Sequence, residues 1–293
     1  MKNNNIFKRI IFPLISKNIP DDSCDYNMFL AAEKFAEKNT IFIDIGANIG
    51  LFSFNIIRNG FRCIAFEPHP EYFKILCRRK FWFDIERIFK SNLGELSIDN
   101  TAISSGESSQ KLWHHDSKPG SHSLDRDRVI QENGNPHDSY IVKLNSLDKV
   151  FNNKKFDKDQ HFFIKIDVEG HEKKVIDGGI EFIKKYKPDI FVEVSSSKTH
   201  NSLLEIKETL SGYGYKLLIH DKFRTSSSHE LFTEVNNIDV IFSCKKKECV
   251  SISCGYPYLS KTQKIRRLFK RIFFLQLSEL NYEAISKPYD VFY

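Results

Sequence analysis

Residues 41–50, Ile41-Phe42-Ile43-Asp44-Ile45-Gly46-Ala47-Asn48-Ile49-Gly50, constrain the fold more than any other stretch of this chain. A run of mostly β-branched apolar residues leads into an acid, a Gly-x-x-x-Gly turn follows, and Leu51 to Ile57 then carry apolar residues at helical spacing. The pattern reads as a buried strand, a tight turn and the first turn of a helix. Such a junction sets free backbone N–H groups and the positive end of a helix dipole beside a ligand, so the chain is expected to bind a nucleotide-type cofactor.

The same alternation continues along the chain. A short helix is expected over 26–38, strands over 41–45 and 62–66, and helices over 49–59 and 70–81. The helix over 49–59 closes at Asn59-Gly60, and the helix over 70–81 opens on a proline. A third strand is expected near 96–103. Residues 104–140 are polar, with Pro119-Gly120 and Asn133-Gly134 turns, and read as a long lid or substrate-binding loop. Further strands are expected over 140–144, 162–167 and 189–194, with an antiparallel edge pair at 215–219 and 238–243. Strands alternating with helices at this spacing give a doubly wound, mainly parallel α/β sheet. The expected organisation is a basic lead-in over 1–39, a catalytic domain over 40–250 and a basic amphipathic extension over 251–293.

Charge excludes some functions. Residues 1–20 and 255–293 each carry +4, against +6 for the whole 293-residue chain, so the body between them is −2. A basic groove through the body would be needed for a nucleic-acid substrate, and none is expected. No run approaches a membrane span, and the apolar stretch 6–15 is split by Lys8-Arg9 and Pro13, unlike a secretory signal. A cytoplasmic protein is expected. The six cysteines (24, 63, 77, 244, 249 and 254) show no zinc spacing and read as reduced thiols.

In an open parallel sheet, ligands bind beyond the carboxyl ends of the strands. Four strands place an acid there: Asp44, Glu67, Asp167 and Glu193. Glu67 lies about 20 residues beyond Asp44, the usual distance at which a second-strand acid meets a ribose diol. Asp44 at the head of the turn would repel a pyrophosphate and suits a cation. S-adenosylmethionine (SAM) combines a sulfonium cation, an amino-acid group and an unphosphorylated ribose. Asp167 and Glu193 lack a clear third ligand, so no metal is expected. Lys165 pairs with one of these acids or, as its apolar neighbours suggest, faces a partly covered side of the sheet. His114, His115, His122 and His137 read as solvated loop residues.

Four blocks occur in order: Asp44 to Gly50, Ala65-Phe66-Glu67-Pro68-His69-Pro70, Lys165-Ile166-Asp167-Val168-Glu169-Gly170-His171-Glu172, and Glu193-Val194. Together they resemble the FkbM-type methyltransferase family over about 40–195, with lesser matches at Asn100 to Ile103 and Leu147-Asp148. The resemblance implies a Rossmann-like class I methyltransferase fold with a seven-stranded, mostly parallel sheet and helices on both faces. It also implies SAM as cofactor and methyl transfer to oxygen. By the same resemblance, Asp44, Gly46, Ala47, Asn48 and Gly50 form the loop around the amino-acid part of SAM. Glu67 holds the ribose, Asn100 and Ala102 flank the adenine, and Asp167 meets the SAM amino group or the acceptor. Glu169, His171 and Glu172 face the acceptor or brace the loop. His171, Asp167 and Glu169 are rival candidates for the base that deprotonates a hydroxyl.

The acceptor class is a glycan, a lipid-linked sugar or another small metabolite. A nicotinamide-dependent oxidoreductase and a non-catalytic carbohydrate- or membrane-binding relic of the fold are the alternatives. Ile265, Leu268, Phe269, Ile272 and Phe273 form one helical stripe among basic residues. Two readings fit it: a helix docked on the body, or weak peripheral contact with an anionic membrane.

Overall fold

The structure is a computed structural model, and it describes residues 24–114, 122–133, 138–194, 199–219 and 238–244. The expectations for the lead-in before residue 24, for Cys249 and Cys254, for His115 and His137, and for the helix over 261–275 lie outside the described residues.

Helix α1 (Cys24–Phe35) precedes strand β1 (Ile41–Ile45). Helix α2 (Leu51–Arg58), strand β2 (Arg62–Phe66), helix α3 (Pro70–Phe89) and strand β3 (Glu95–Asp99) follow. Then come β4 (Ala102–Ser104), β5 (Ser108–His114), β6 (His122–Ser123), α4 (Arg126–Asn133), β7 (Asp138–Ser146) and α5 (Leu147–Phe151). The remaining elements are β8 (Phe162–Ile166), α6 (Glu172–Asp177), α7 (Ile180–Tyr186), β9 (Asp189–Val194), α8 (Thr199–Ser211), β10 (Lys216–Ile219) and β11 (Ile238–Ser243).

Seven strands form one sheet in the order β10-β11-β9-β8-β1-β2-β3. Strands β9, β8, β1, β2 and β3 are parallel, and β11 runs antiparallel between β9 and β10. Every residue of β1 and β8 is buried, because both faces of the sheet are covered. Ile41, Ile43, Ile45, Ile164 and Ile166 face helices α5 to α8. Phe42, Phe163, Ala65 and Leu96 face α1, α2 and α3, with Phe42 wedged between Phe61, at 5.2 Å, and Phe163, at 5.4 Å. The doubly wound, mainly parallel sheet read from the sequence is the observed architecture.

Three elements differ from the sequence expectation. Helix α3 runs to Phe89 rather than ending near 81, because Lys80–Asp84, Lys90–Glu86 and Arg58–Glu86 ion pairs carry it through its second half. The single strand expected near 96–103 is two strands in two sheets, because Asn100 turns the chain by donating its side-chain amide to the carbonyls of Glu67 (2.8 Å) and Pro68 (3.1 Å). Within 104–140, the described residues hold β5, β6 and α4 in place of a plain loop. With β4 and β7 the strands make a second sheet in the order β4-β7-β5-β6. Its core is small, built on Ala102, Leu112, Leu124, Val142 and Leu144, so its strands carry few apolar residues to betray them.

At the amino ends of the central strands a buried polar chain closes the sheet. Thr40 Oγ1 lies 2.7 Å from His161 Nδ1, His161 Nε2 lies 2.9 Å from Asp189 Oδ2, and the Ser243 hydroxyl donates to Asp189 Oδ1. It links the segments entering β1, β8 and β9 to the end of β11. Asp189→Ala leaves His161 and Ser243 without their acceptor, and a loss of about 1–3 kcal/mol in urea unfolding is expected.

Candidate active site

The turn between β1 and α2 is built on left-handed backbone. Gly46, Asn48 and Gly50 have φ of 81°, 52° and 84°, a region open to glycine and tolerated by asparagine. Glycine is required at 46, where a Cβ would stand 1.9 Å from the Asp167 carbonyl oxygen. At 50 a Cβ would stand 2.6 Å from Leu76. The Gly46 and Ala47 N–H groups both donate to the Phe66 carbonyl at 3.0 Å, fixing the turn to β2. Arg79 of α3 clamps its far side, donating to the Ile49 carbonyl with its guanidinium 4.6 Å from the Phe54 ring centroid.

The four strand-end acids come to one edge, since β9, β8, β1 and β2 are neighbours. They do not play one part. Asp44 is fully buried: Oδ2 accepts from the Ser53 hydroxyl at 2.6 Å and Oδ1 lies 3.2 Å from Lys165 Nζ. The cation facing Asp44 is therefore Lys165, which sits directly opposite it in the β1–β8 register. Lys165 is buried, not set on a partly covered face. Its ammonium also lies 3.3 Å from Asp167 Oδ2 and donates to the Gly46 carbonyl at 2.7 Å. Burial pulls the Lys165 pKa down, but Asp44, Asp167 and Glu193 outweigh it and hold the side chain charged. Glu193, paired across strands with Asp239, is pushed up to about 8 by burial and then by Asp167 and Asp239.

Glu67 closes the turn from the other side. It is fully buried, and Oε2 accepts from the Asn48 N–H at 2.6 Å while Oε1 accepts from the His69 N–H at 2.8 Å. Burial would raise its pKa, but His122 and the two N–H groups more than offset this and hold it below the usual carboxylate value. His122 Nε2 stands 3.5 Å from Glu67 Oε1. His122 is thus packed rather than solvated, 5.1 Å from the His69 ring and 5.3 Å from Tyr72. His114 joins the same group, 5.5 Å from His69 and 5.7 Å from Tyr140. Burial, and then the neighbouring His122, bring His69 down to about 4. These histidines, from β5, β6 and the cap of α3, meet only in the fold.

The Asp167–Glu172 turn forms the opposite wall. Glu169 has a left-handed φ of 51°. Its carboxylate pairs with the buried Arg128 of α4, and its carbonyl accepts from the Ser123 hydroxyl at 2.7 Å. His171 is buried with Nε2 2.9 Å from Ser104 Oγ, and burial followed by the Lys174 charge brings it down to about 4. Glu172 is buried. Its Oε1 accepts from the Gly170 N–H at 2.8 Å, and among the described residues its Oε2 has no hydrogen-bond partner. Arg128 and Ser123 were not singled out in the sequence, since no local signal marks them.

Between these walls lies an open cleft, about 610 Å³ when counted with its solvent mouth. Its wall includes Gly46, Asn48, Glu67, Ala102, Asp167, Glu169 and His171, with Thr101, Leu112 and His122 from the neighbouring strands. Asp44, Ala47, Gly50 and Asn100 lie outside this lining; Asp44 and Gly50 are buried beneath it, and Asn100 braces the Glu67-Pro68 turn.

The family model of the methyltransferase FkbM domain matches residues 44–217. The chain belongs to the FkbM methyltransferase family. Its sheet is the Rossmann-like class I methyltransferase arrangement, and membership sets aside the nicotinamide oxidoreductase alternative. Among solved structures, this FkbM chain is similar to methyltransferase FkbM from Methylobacillus flagellatus KT, with 14% identity and a TM-score of 0.44. The match covers 79% of this chain and 58% of that one. It is also similar to precorrin-6y C5,15-methyltransferase from Geobacter metallireducens GS-15, with 13% identity and a TM-score of 0.39, over 78% of this chain and 90% of that one. No curated protein matches it. Among the described residues no helix is long and apolar enough to cross a membrane.

Two expected outcomes follow from the charges. Lys165→Met strands Asp44 and Asp167 beside each other and costs about 3–5 kcal/mol in chemical unfolding, part of which Asp44→Asn in the same chain restores. Glu172 has its pKa raised from 4.5 to about 7 by burial, so the folded state holds that proton longer and stability falls as pH rises through 4.5 to 7. Glu172→Gln keeps the acceptor for Gly170. Its stability gain over wild type is expected to be absent near pH 4.5 and on the order of 3 kcal/mol by pH 8 in pH-resolved melting.

Proposed function

We propose that the protein is a SAM-dependent O-methyltransferase whose acceptor is a hydroxyl on a glycan, a lipid-linked sugar or another small metabolite. The observation that carries the cofactor reading is Glu67. A carboxylate offers about four acceptor positions. Two are taken by the Asn48 and His69 N–H groups, and His122 stands at 3.5 Å, so the ionised group still has acceptor capacity toward the cleft. An ionised carboxylate there accepts from a ribose hydroxyl and repels a phosphate. The chain therefore fits SAM, with Gly46, Asn48 and Asp167 around the amino-acid part, Glu67 at the ribose, and Thr101 and Ala102 beside the base.

When bound, SAM supplies an activated methyl group and leaves as a neutral thioether. The chain's own residues must align the acceptor oxygen and take its proton. His171 is buried with Nε2 engaged by Ser104 Oγ, so that nitrogen is not free to meet an acceptor hydroxyl. Asp167 belongs to the cofactor side, with its N–H donating to the Ile45 carbonyl and its carboxylate beside Lys165. Glu169 lies toward the second sheet, held by Arg128 and Ser123. We assign Glu169 as the proton acceptor and Arg128 as the residue that positions it. Low-population backbone at such a position is common where geometry serves a reaction.

Calorimetry with S-adenosylhomocysteine (SAH) tests the cofactor site. Glu67→Gln is expected to weaken binding about 10- to 100-fold, while NAD shows no heat with wild type. Unchanged SAH affinity in that variant overturns the site. Glu169→Gln is expected to keep SAH affinity and lose about 10²–10⁴ of methyl transfer to hydroxyl acceptors. Full transfer by that variant returns the base to Asp167.

A further inference from the structure

Strand β6 is two residues long, and each of them touches a different wall of the cleft. His122 lines the cleft, with Nε2 3.5 Å from Glu67 Oε1. Ser123, next in the strand, donates its hydroxyl to the Glu169 carbonyl at 2.7 Å. The chain then enters α4, where Arg128 pairs with the Glu169 carboxylate. One run of chain, 122–128, therefore meets Glu67 at its first residue and holds both ends of Glu169 with the rest.

That run is anchored along its length. His122 pairs with His114, and Ser123 with Trp113, in the β5–β6 register. The Gln110 side-chain amide donates to the Leu124 carbonyl at 2.9 Å. The Asp125 N–H donates to Ser123 Oγ at 3.0 Å, and Asp125 Oδ1 accepts from the Asp127 N–H at 2.9 Å as α4 opens. The His122 ring packs on His69 and Tyr72. A side chain fixed in this way loses little freedom when it binds, which favours a role as a ligand contact.

Hydrogen-bond chemistry indicates what His122 is placed to meet. A ribose hydroxyl both donates and accepts, whereas an ionised carboxylate only accepts. Glu67 can take the proton of such a hydroxyl but cannot serve the lone pairs of its oxygen. A donor beside Glu67 in the same wall completes the match. A carboxylate 3.5 Å from Nε2 favours the tautomer with the proton on that nitrogen. The separation exceeds the roughly 2.7–2.9 Å of a closed charge-assisted bond, so neither group is spent on the other. Elsewhere in the lining, Thr101 donates to Asp99 and His171 is engaged by Ser104. Resting on the cofactor reading above, we propose that His122 is a cofactor-binding residue, donating from Nε2 to a ribose hydroxyl oxygen and sharing the diol with Glu67. The second sheet then contributes to the cofactor site as well as to the wall that carries Glu169.

Calorimetry with SAH, and with an SAH analogue lacking both ribose hydroxyls, tests this assignment. His122→Phe keeps a ring against His69 and Tyr72 but removes the donor. It is expected to bind SAH about tenfold more weakly than wild type, with its melting temperature kept. The analogue has no diol to share, and it is expected to bind wild type and His122→Phe alike. His122→Gln, whose amide nitrogen stands in for Nε2, is expected to recover most of the SAH affinity. Equal SAH affinity in wild type and His122→Phe would overturn the assignment. So would an equal loss for SAH and the analogue, which would make His122 a packing residue. Failure of the wild type to bind SAH would overturn the cofactor reading along with it.

Discussion

One buried lysine makes the acid-lined edge of this sheet feasible. Asp44, Asp167 and Glu193 end adjacent parallel strands, and unpaired acids cannot be buried together without a large desolvation cost. Lys165, the next-to-last residue of β8 and two before Asp167, puts its ammonium among them and bonds the Gly46 carbonyl as well. Strand β1, strand β8 and the β1–α2 turn are thereby joined at a single nitrogen. The geometry of Gly46, which leaves no space for a Cβ against the Asp167 carbonyl, follows from that close approach.

The acids that read alike along the chain divide into two kinds in space. Asp44 is structural, its charge met by Lys165 and its second oxygen by Ser53. Glu67 and Asp167 reach the cleft. The inference that Asp44 itself faces a ligand's cation treated the turn as if it had no neighbour. The neighbour comes from β8, about 120 residues away, and only the strand register discloses it.

Sequence legibility followed locality. The central strands β1, β2 and β8 are readable because both of their faces are buried, which produces apolar runs such as Cys63 to Phe66. The β1–α2 turn is readable because glycine and asparagine at alternate positions report a left-handed backbone. The second sheet was not, since β5 buries only Leu112 fully, and a strand with one buried side chain looks like a polar loop. The His69, His114 and His122 group, and the Arg128–Glu169 pair, are contacts between distant elements and leave no local spacing to read.

Helix α3 also couples the two sides of the β1–α2 turn. Its N-cap follows Glu67 and Pro68 in the cleft wall, and Arg79, further along the same helix, bonds the Ile49 carbonyl on the far side of the turn. A shift of this one helix along its axis would therefore move the Glu67 wall and the Ile49 end of the turn together.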